Sequence, residues 1–293
     1  MQTPSDSLQR FLFEQLPIRG ELVHLDAAWQ EVLHRHDYPP VLRGILGELC
    51  AAAVLLAATL KLRGALVLQV QGRGVLKLLV VECSGDLALR ATAKWEGELT
   101  QGSLPELVGE GNFVITLDPE EGNRPYQGIV PLQGDSIAEM LENYMSRSEQ
   151  LETRLWLAAD DQQAAGLLLQ RLPERDAAQQ EEGWRRAGLL AATLRRDELL
   201  LLPPAQLLHR LYHEEDIRLF EPQPVRFRCT CSRENVANML RMIGRGEVES
   251  ILREREVIEV SCEFCHQSYR FDRAQAEAAL TDLAAMPVSA TRH

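Results

Sequence analysis

A chain of 293 residues, 45% hydrophobic and 25% charged, has room for a sizeable core and for two domains, and its composition excludes a disordered or fibrous protein. Its net charge of −12 resides in residues 1–225, with 21 Lys and Arg against 33 Asp and Glu, while residues 226–293 balance ten Arg against ten acidic residues. A nucleic-acid-binding module calls for a basic face, so that class is disfavoured, although Arg226, Arg228, Arg233, Arg241 and Arg245 could still form a local patch.

The opening MQTPSDSLQR shows no basic region followed by an apolar run, so no secretory signal is expected. The longest apolar stretch, Leu49 to Leu60 between Glu48 and Lys61, has twelve residues, too few to cross a bilayer and suited to a buried helix. The expectation is a cytoplasmic protein with no membrane partner, in a compartment where thiols stay reduced.

In chain order, Phe11-Leu12-Phe13 and Gly20–Leu25 predict short strands, punctuated near Pro17 and Gly20. Asp26 is placed to cap a helix through His34, and Pro39-Pro40 opens a long apolar helix to about Lys61, which Gly64 ends. Ala65–Gln71, Val75–Glu82 and Leu87–Ala93 alternate as strands between glycine-containing turns. Asn112–Leu117 and Tyr126–Pro131 predict two more, Ser136 to Arg147 a helix, and Thr153–Ala158 and Ala165–Leu172 a final pair. The pattern is α+β, an antiparallel sheet packed with helices and complete by about residue 175.

Residues 176–225 change character. Ala177–Leu194 is helical in pattern, and Asp197–Tyr212 is dense in leucine, interrupted by Pro203-Pro204 and closed by Pro222 and Pro224. Two readings stand for this connector: a leucine face laid permanently on the first domain, or a surface buried only conditionally. The remaining 226–293 predict a small module. Ser232 caps a helix Arg233–Ile243 broken by Gly244 and Gly246, and a short helix spans Val248–Glu254. Strands Val257–Ser261 and Ser268–Phe271 and a helix Arg273–Ala285 behind Asp272 complete it.

That module carries the chemistry. Cys229-Thr-Cys231 and Cys262-Glu-Phe-Cys265 are two close pairs separated by thirty residues, the pattern of one zinc ion held by four thiolates. A one-residue spacing is unusual for zinc, whose tetrahedral sulfurs lie about 3.8 Å apart at a Zn–S distance of about 2.3 Å. With so few large apolar residues the module is marginal without a staple. Zinc supplies about 10–16 kcal/mol of folding energy in such modules. Zinc thiolates are also the form that peroxide attacks, so a static ribbon and a redox switch are both open. Loss of one ligand invites a disulfide with its close neighbour. His266 is a neighbour, not a needed ligand.

Other features have plainer explanations. Cys50 and Cys83 read as buried small hydrophobes, and His34-Arg-His36-Asp37 as a polar helix end. Gly72-Arg-Gly74 and Gly109-Glu-Gly111 are turn glycines. No phosphate loop, nucleophile elbow or zinc-protease motif is present, so no enzyme is expected. A metalloenzyme would need an open coordination position, which four cysteines close.

The runs DIRLFEPQPVRFRCTCSRENV (216–236) and GEVESILREREVIEVSCEFCHQSYRFD (246–272) closely resemble the redox-regulated 33-kilodalton heat-shock chaperonin family. So do GEGNFVITLD (109–118) and YQGIVPLQGDSIAEMLENYMSRSEQLETRLWLAA (126–159). The resemblance covers nearly the whole chain and implies a bacterial cytosolic holdase that works without ATP. It implies that Cys229, Cys231, Cys262 and Cys265 hold zinc in an inactive reduced form. Oxidation would form Cys229–Cys231 and Cys262–Cys265 disulfides, expel zinc, melt the tail and destabilise the connector. The implied partners are unfolding client proteins, a second copy in an active homodimer, thiol reductants and an ATP-dependent foldase chaperone. The implied division is a core domain 1–175, a linker 176–225 and a switch domain 226–293. The competing class is a static zinc ribbon serving a nucleic-acid or translation factor.

Overall fold

Residues 6–60, 63–99, 102–119, 125–173 and 177–281 are described in the computed structural model. Strands β1 (Ser7–Phe13) and β2 (Ile18–Leu25) pair antiparallel with Phe11 opposite Gly20. Helices α1 (Ala27–Leu33) and α2 (Pro40–Thr59) follow, then the meander β3 (Gly64–Gly72), β4 (Leu76–Ser84) and β5 (Ala88–Trp95). After α3 (Leu104–Val108), β6 (Gly111–Pro119) pairs with β3, and β7 (Tyr126–Val130) with β6. Helix α4 (Ile137–Arg147) leads to the hairpin of β8 (Thr153–Ala159) and β9 (Ala164–Arg171), and β9 joins β2. The architecture is α+β.

Local chemistry differs from expectation at three points. Asp26 makes no side-chain cap; Asp6 does this work from outside the helix, accepting from the Asp26 and Ala28 amides at 2.8 and 2.9 Å. Gly64 does not close α2 but begins β3 at φ +149°, pressed against the backbone of Asp118. Helix α3 was not expected, although Ser103 and Glu106 form a capping box around it.

Helix α2 lies between two sheets. Leu8, Val23, Leu25 and Leu168 of one and Leu66, Leu68, Val70, Leu79 and Val81 of the other share its core. Twenty residues of this composition could cross a membrane by length alone, but 72% of the apolar window is buried inside the protein. Gly47 permits the close approach, since a Cβ there would sit 2.4 Å from that of Ala159. Cys50 and Cys83 lie in this core as expected, and burial pushes the Cys83 thiol up to about 12.

The first sheet's other face is covered by the connector: α5 (Ala177–Ala191), α6 (Arg196–Leu201) and α7 (Pro204–Tyr212). Trp184, Leu199, Leu200, Leu207, Leu208, Leu211 and Tyr212 bury against Phe11, Phe13, Ile18, Leu22, Leu167 and Leu169. Tyr212 meets Phe13 edge-on with ring centres 5.0 Å apart. The leucine face is therefore packed down in this state.

The sheets are not complete at residue 175. Strands β10 (Ile217–Leu219) and β11 (Gln223–Pro224) add antiparallel to β1, and β12 (Arg226–Phe227) adds parallel to β5. Two or three residues with prolines nearby carry too little pattern to read as strands. This strap crosses from one sheet to the other, and contacts divide the chain just beyond it, into units 1–228 and 229–293.

Glu21, buried on β2, has its pKa raised to about 7 by desolvation, against the pull of Arg10 and Arg19. A carboxyl whose folded pKa is raised binds its proton more tightly when folded, so its ionisation above pH 7 costs stability that returns as pH falls. Between pH 8 and pH 5 this adds about 2 kcal/mol. His24, depressed by burial, acts oppositely below its ordinary value. Urea unfolding of wild type and Glu21→Gln at both pH values isolates the carboxyl, and the variant is expected to lose its share of the rise while Glu48, also raised to about 7 by burial, keeps its own.

In the second unit Ser232 caps α8 (Arg233–Ile243), accepting from the Asn235 amide at 3.1 Å. Gly244 at φ +93° alone separates it from α9 (Arg245–Glu254); Gly246 lies inside α9 instead of breaking it. The hairpin β13 (Val257–Ser261) and β14 (Ser268–Asp272) and helix α10 (Arg273–Thr281) complete the unit. Asp272 caps α10 through the Gln275 amide at 2.8 Å, and the expected extension to Ala285 lies outside the described residues.

Candidate metal centre

The first cysteine pair occupies the link from β12 to α8. It is followed by Ser232 at the helix start and held by Asn235, whose side-chain amide donates to the Thr230 carbonyl at 2.9 Å. The second pair occupies the β13–β14 turn. There the Cys262 amide donates to the Gln267 carbonyl at 3.0 Å and the His266 amide to the Cys262 carbonyl at 2.8 Å. His266 adopts φ +57° to close this knuckle.

The fold brings all four predicted sulfurs together. Cys229 Sγ lies 3.6 Å from Cys262 Sγ and Cys231 Sγ 3.3 Å from Cys265 Sγ, with all four within 4.8 Å of one another. These separations bracket the sulfur spacing of a tetrahedral zinc thiolate site. Among the described residues this is the one metal-competent group, and His266 is not in it. Four soft donors with no open position suit zinc in a structural role.

Electrostatics separate the thiols. Burial pushes Cys229 up, but hydrogen bonds from the Cys231 amide and the neighbouring thiols outweigh it and leave its pKa at about 7. Burial raises Cys262 and takes Cys265 to about 12. A metal ion would draw all four into the thiolate form.

One contact was not foreseen from sequence. The Tyr269 hydroxyl donates to Cys231 Sγ at 3.1 Å, which holds the phenol at about 12. It is paired with Val260 across the hairpin, and no local signal links positions 38 residues apart. A donor to a ligating sulfur withdraws charge from it and fixes its orientation. Tyr269→Phe is expected to weaken zinc binding about tenfold and to speed oxidation of Cys231, read by chelator competition and by mass spectrometry after brief peroxide exposure.

A second unforeseen group anchors the chain just before the site. Asp86 pairs with Arg226 and, at 3.1 Å, with Arg228, while the Arg228 amide donates to the Leu89 carbonyl at 3.0 Å. The Ser84 hydroxyl and then these arginines hold the Asp86 carboxyl below its ordinary range. The other arginines of the possible basic patch have partners too. Arg233 lies over Phe271 at 4.2 Å, Arg241 donates to the Ala279 carbonyl at 2.6 Å, and Arg245 pairs with Glu249 at 3.7 Å.

The family model described as Hsp33 protein matches residues 6–272. The 33 kDa chaperonin of Methylobacillus flagellatus is 56% identical over 290 residues, 99% of each chain. That of Nitrosococcus oceani is 51% identical, covering 98% of this chain and 99% of the relative. In fold, the chain is similar to the crystal structure of the 33 kDa chaperonin (heat shock protein 33 homolog) of Thermotoga maritima, with a TM-score of 0.81 at 22% identity over 94% of this chain and 98% of that one. A chain matched over nearly its whole length by this family, with four cysteines gathered as one metal-competent cluster, belongs to the Hsp33 family of chaperones.

Proposed function

We propose that this chain is a cytoplasmic, redox-regulated, ATP-independent holdase, with no catalytic activity of its own. Residues 1–175 are its platform, 176–225 its linker and 226–293 its switch. The observation that carries the reading is the pairing of a metal-competent cysteine cluster with an apolar connector face that is packed away, not exposed. In the reduced state Cys229, Cys231, Cys262 and Cys265 hold one zinc ion, which staples a module too small to be stable otherwise.

Oxidation joins Cys229 to Cys231 and Cys262 to Cys265. Each disulfide takes one peroxide: two thiolates lose one electron each as the S–S bond forms, the peroxide O–O bond breaks, and two protons from solvent complete two waters. Without thiolates the module loses its metal and melts. The strap that enters it is then held only by its own short pairings with β1 and β5 and by Asp86, and the connector leaves the first sheet. The freed face captures unfolding proteins in an active homodimer. Thiol reductants reverse the disulfides, and clients pass to an ATP-dependent foldase chaperone.

Partnered arginines and the acidic balance argue against the nucleic-acid alternative. Zinc release and suppression of aggregation, measured on one sample before and after peroxide at elevated temperature, test the proposal. Both are expected to appear together. Zinc that stays, or leaves without gain of holdase activity, would reduce the module to a static ribbon.

A further inference from the structure

The histidines of the chain are not equally committed. His24 Nε2 is bound to the Leu199 carbonyl at 2.8 Å, the His36 ring rests on Tyr38 with centres 5.1 Å apart, and His266 closes the cysteine knuckle. His209 and His213 differ. They lie four residues apart at the C-terminal end of α7, where His213 keeps helical backbone at φ −63° and ψ −18°. Both are exposed, and residues at this spacing share one helix face. Their rings meet edge-to-face with centres 6.0 Å apart. Among the described residues His209 has no polar partner, and His213 has only the exposed carboxylate of Glu214, whose Oε1 is 4.0 Å from Nε2.

Two imidazoles four residues apart on a helix are an arrangement that holds zinc as paired nitrogen ligands. At a Zn–N distance of about 2.0–2.1 Å, the ring centres on one tetrahedral ion lie about 5.3 Å apart, so a small side-chain rotation from 6.0 Å suffices. Glu214 adds a carboxylate within reach. Arg210, between the two histidines in sequence, is turned to Glu198 at 2.6 Å. Outside the cysteines no three donors converge among the described residues. Solvent therefore completes the shell, and the site is open and exchangeable where the cysteine centre is closed.

We propose that His209 and His213 bind a divalent transition-metal ion of the imidazole-preferring class, zinc above all, and that this ion staples the last turn of α7 and opposes release of the connector. The regulatory part rests on the holdase reading; the binding does not. Helix α7 buries Leu207, Leu208, Leu211 and Tyr212 against the first sheet, so an ion on its exposed face leaves that packing undisturbed. A helix of nine residues does not persist without its support, and without the helix the two rings no longer converge. The ion therefore binds the packed connector and not the released one. A free concentration a hundred times its dissociation constant favours the packed state about a hundredfold. One metal keeps the cysteine module folded, and a second, weaker one holds the connector down.

The test titrates zinc chloride into the reduced full-length chain that already carries one zinc ion. Equilibrium dialysis is expected to find a second ion, and hydrogen exchange is expected to slow across 204–213 as it binds. His209→Gln and His213→Gln, at exposed positions where folding tolerates change, are each expected to weaken that binding about tenfold or more, and His34→Gln to leave it unchanged. A second ion held equally by both variants, or bound without slowing exchange across 204–213, would overturn the proposal. Peroxide activation, read as suppression of aggregation, is expected to slow several-fold with the second ion in wild type but not in His209→Gln. That variant keeps the cysteine centre, so equal slowing in both would place the effect there and overturn the regulatory role. If wild type never gains holdase activity while the second ion binds through both histidines, the holdase reading fails and the metal site stands. If activity appears and neither histidine matters, the metal proposal alone fails.

Discussion

Cys262→Ser is expected to unfold the second unit while leaving α2 and β1–β9 of the first intact. The buried set holding residues 229–281 together is small: Leu240, Val248, Leu252, Ile258, Phe271 and Leu280, filled out by Ala237, Ala276 and Ala279. A serine hydroxyl stays protonated and is a poor zinc ligand, so the variant forfeits most of the roughly 10–16 kcal/mol that metal binding adds to folding. That exceeds the stability of most whole domains. Hydrogen exchange is expected to become fast throughout α8–α10 and to remain slow in α2 and β1–β9. A strong chelator added to wild type is expected to do the same. A variant that keeps its protected amides without zinc would show that packing alone holds the unit.

Leu211→Glu is expected to switch the chaperone on without oxidant. Leu211 is 2% exposed in the cluster formed by the connector and the first sheet. A carboxylate placed there without a partner costs several kcal/mol, and a nine-residue helix is marginal without tertiary support. Release of α7 is therefore less costly than unfolding the sheet beneath it. The reduced, zinc-loaded variant is expected to suppress aggregation to a large fraction of the oxidised wild-type level and to be cut by protease within 177–212. Leu201→Glu, at a 71% exposed position, is the control and is expected to stay silent. Cleavage without holdase activity would show that the connector face is not the client surface.

What sequence revealed and what it hid divide along the range of the interactions. The four cysteines were legible because ligand type and spacing are themselves the chemistry. Ser232 and Asp272 were legible as helix caps because a cap acts within three residues. Asp26 failed as a cap because Asp6, distant in sequence, supplies the acceptor. The capping box at Ser103 was readable, but the five-residue helix behind it is too short to show a period. Tyr269 on Cys231 and Asp86 on the strap depend on long-range folding, and nothing local marks them. The resting place of the connector was undecided for the same reason: leucine spacing identifies an apolar face but not what covers it.

The order of the elements along the chain has a consequence for biosynthesis. The outer face of the first sheet is made by residues 11 to 169, and its cover by residues 184 to 212. Both sheets receive their last strands only at 217 to 227. Chains emerge from the ribosome N-terminus first, so each growing copy must display Phe11, Phe13, Leu22, Leu167 and Leu169 before the helices that shield them exist. While it is being made, a protein of the chaperone family presents the same kind of surface as the polypeptides it protects. The acidic excess of residues 1–225 is already being translated during that interval, when mutual repulsion is what keeps nascent copies apart.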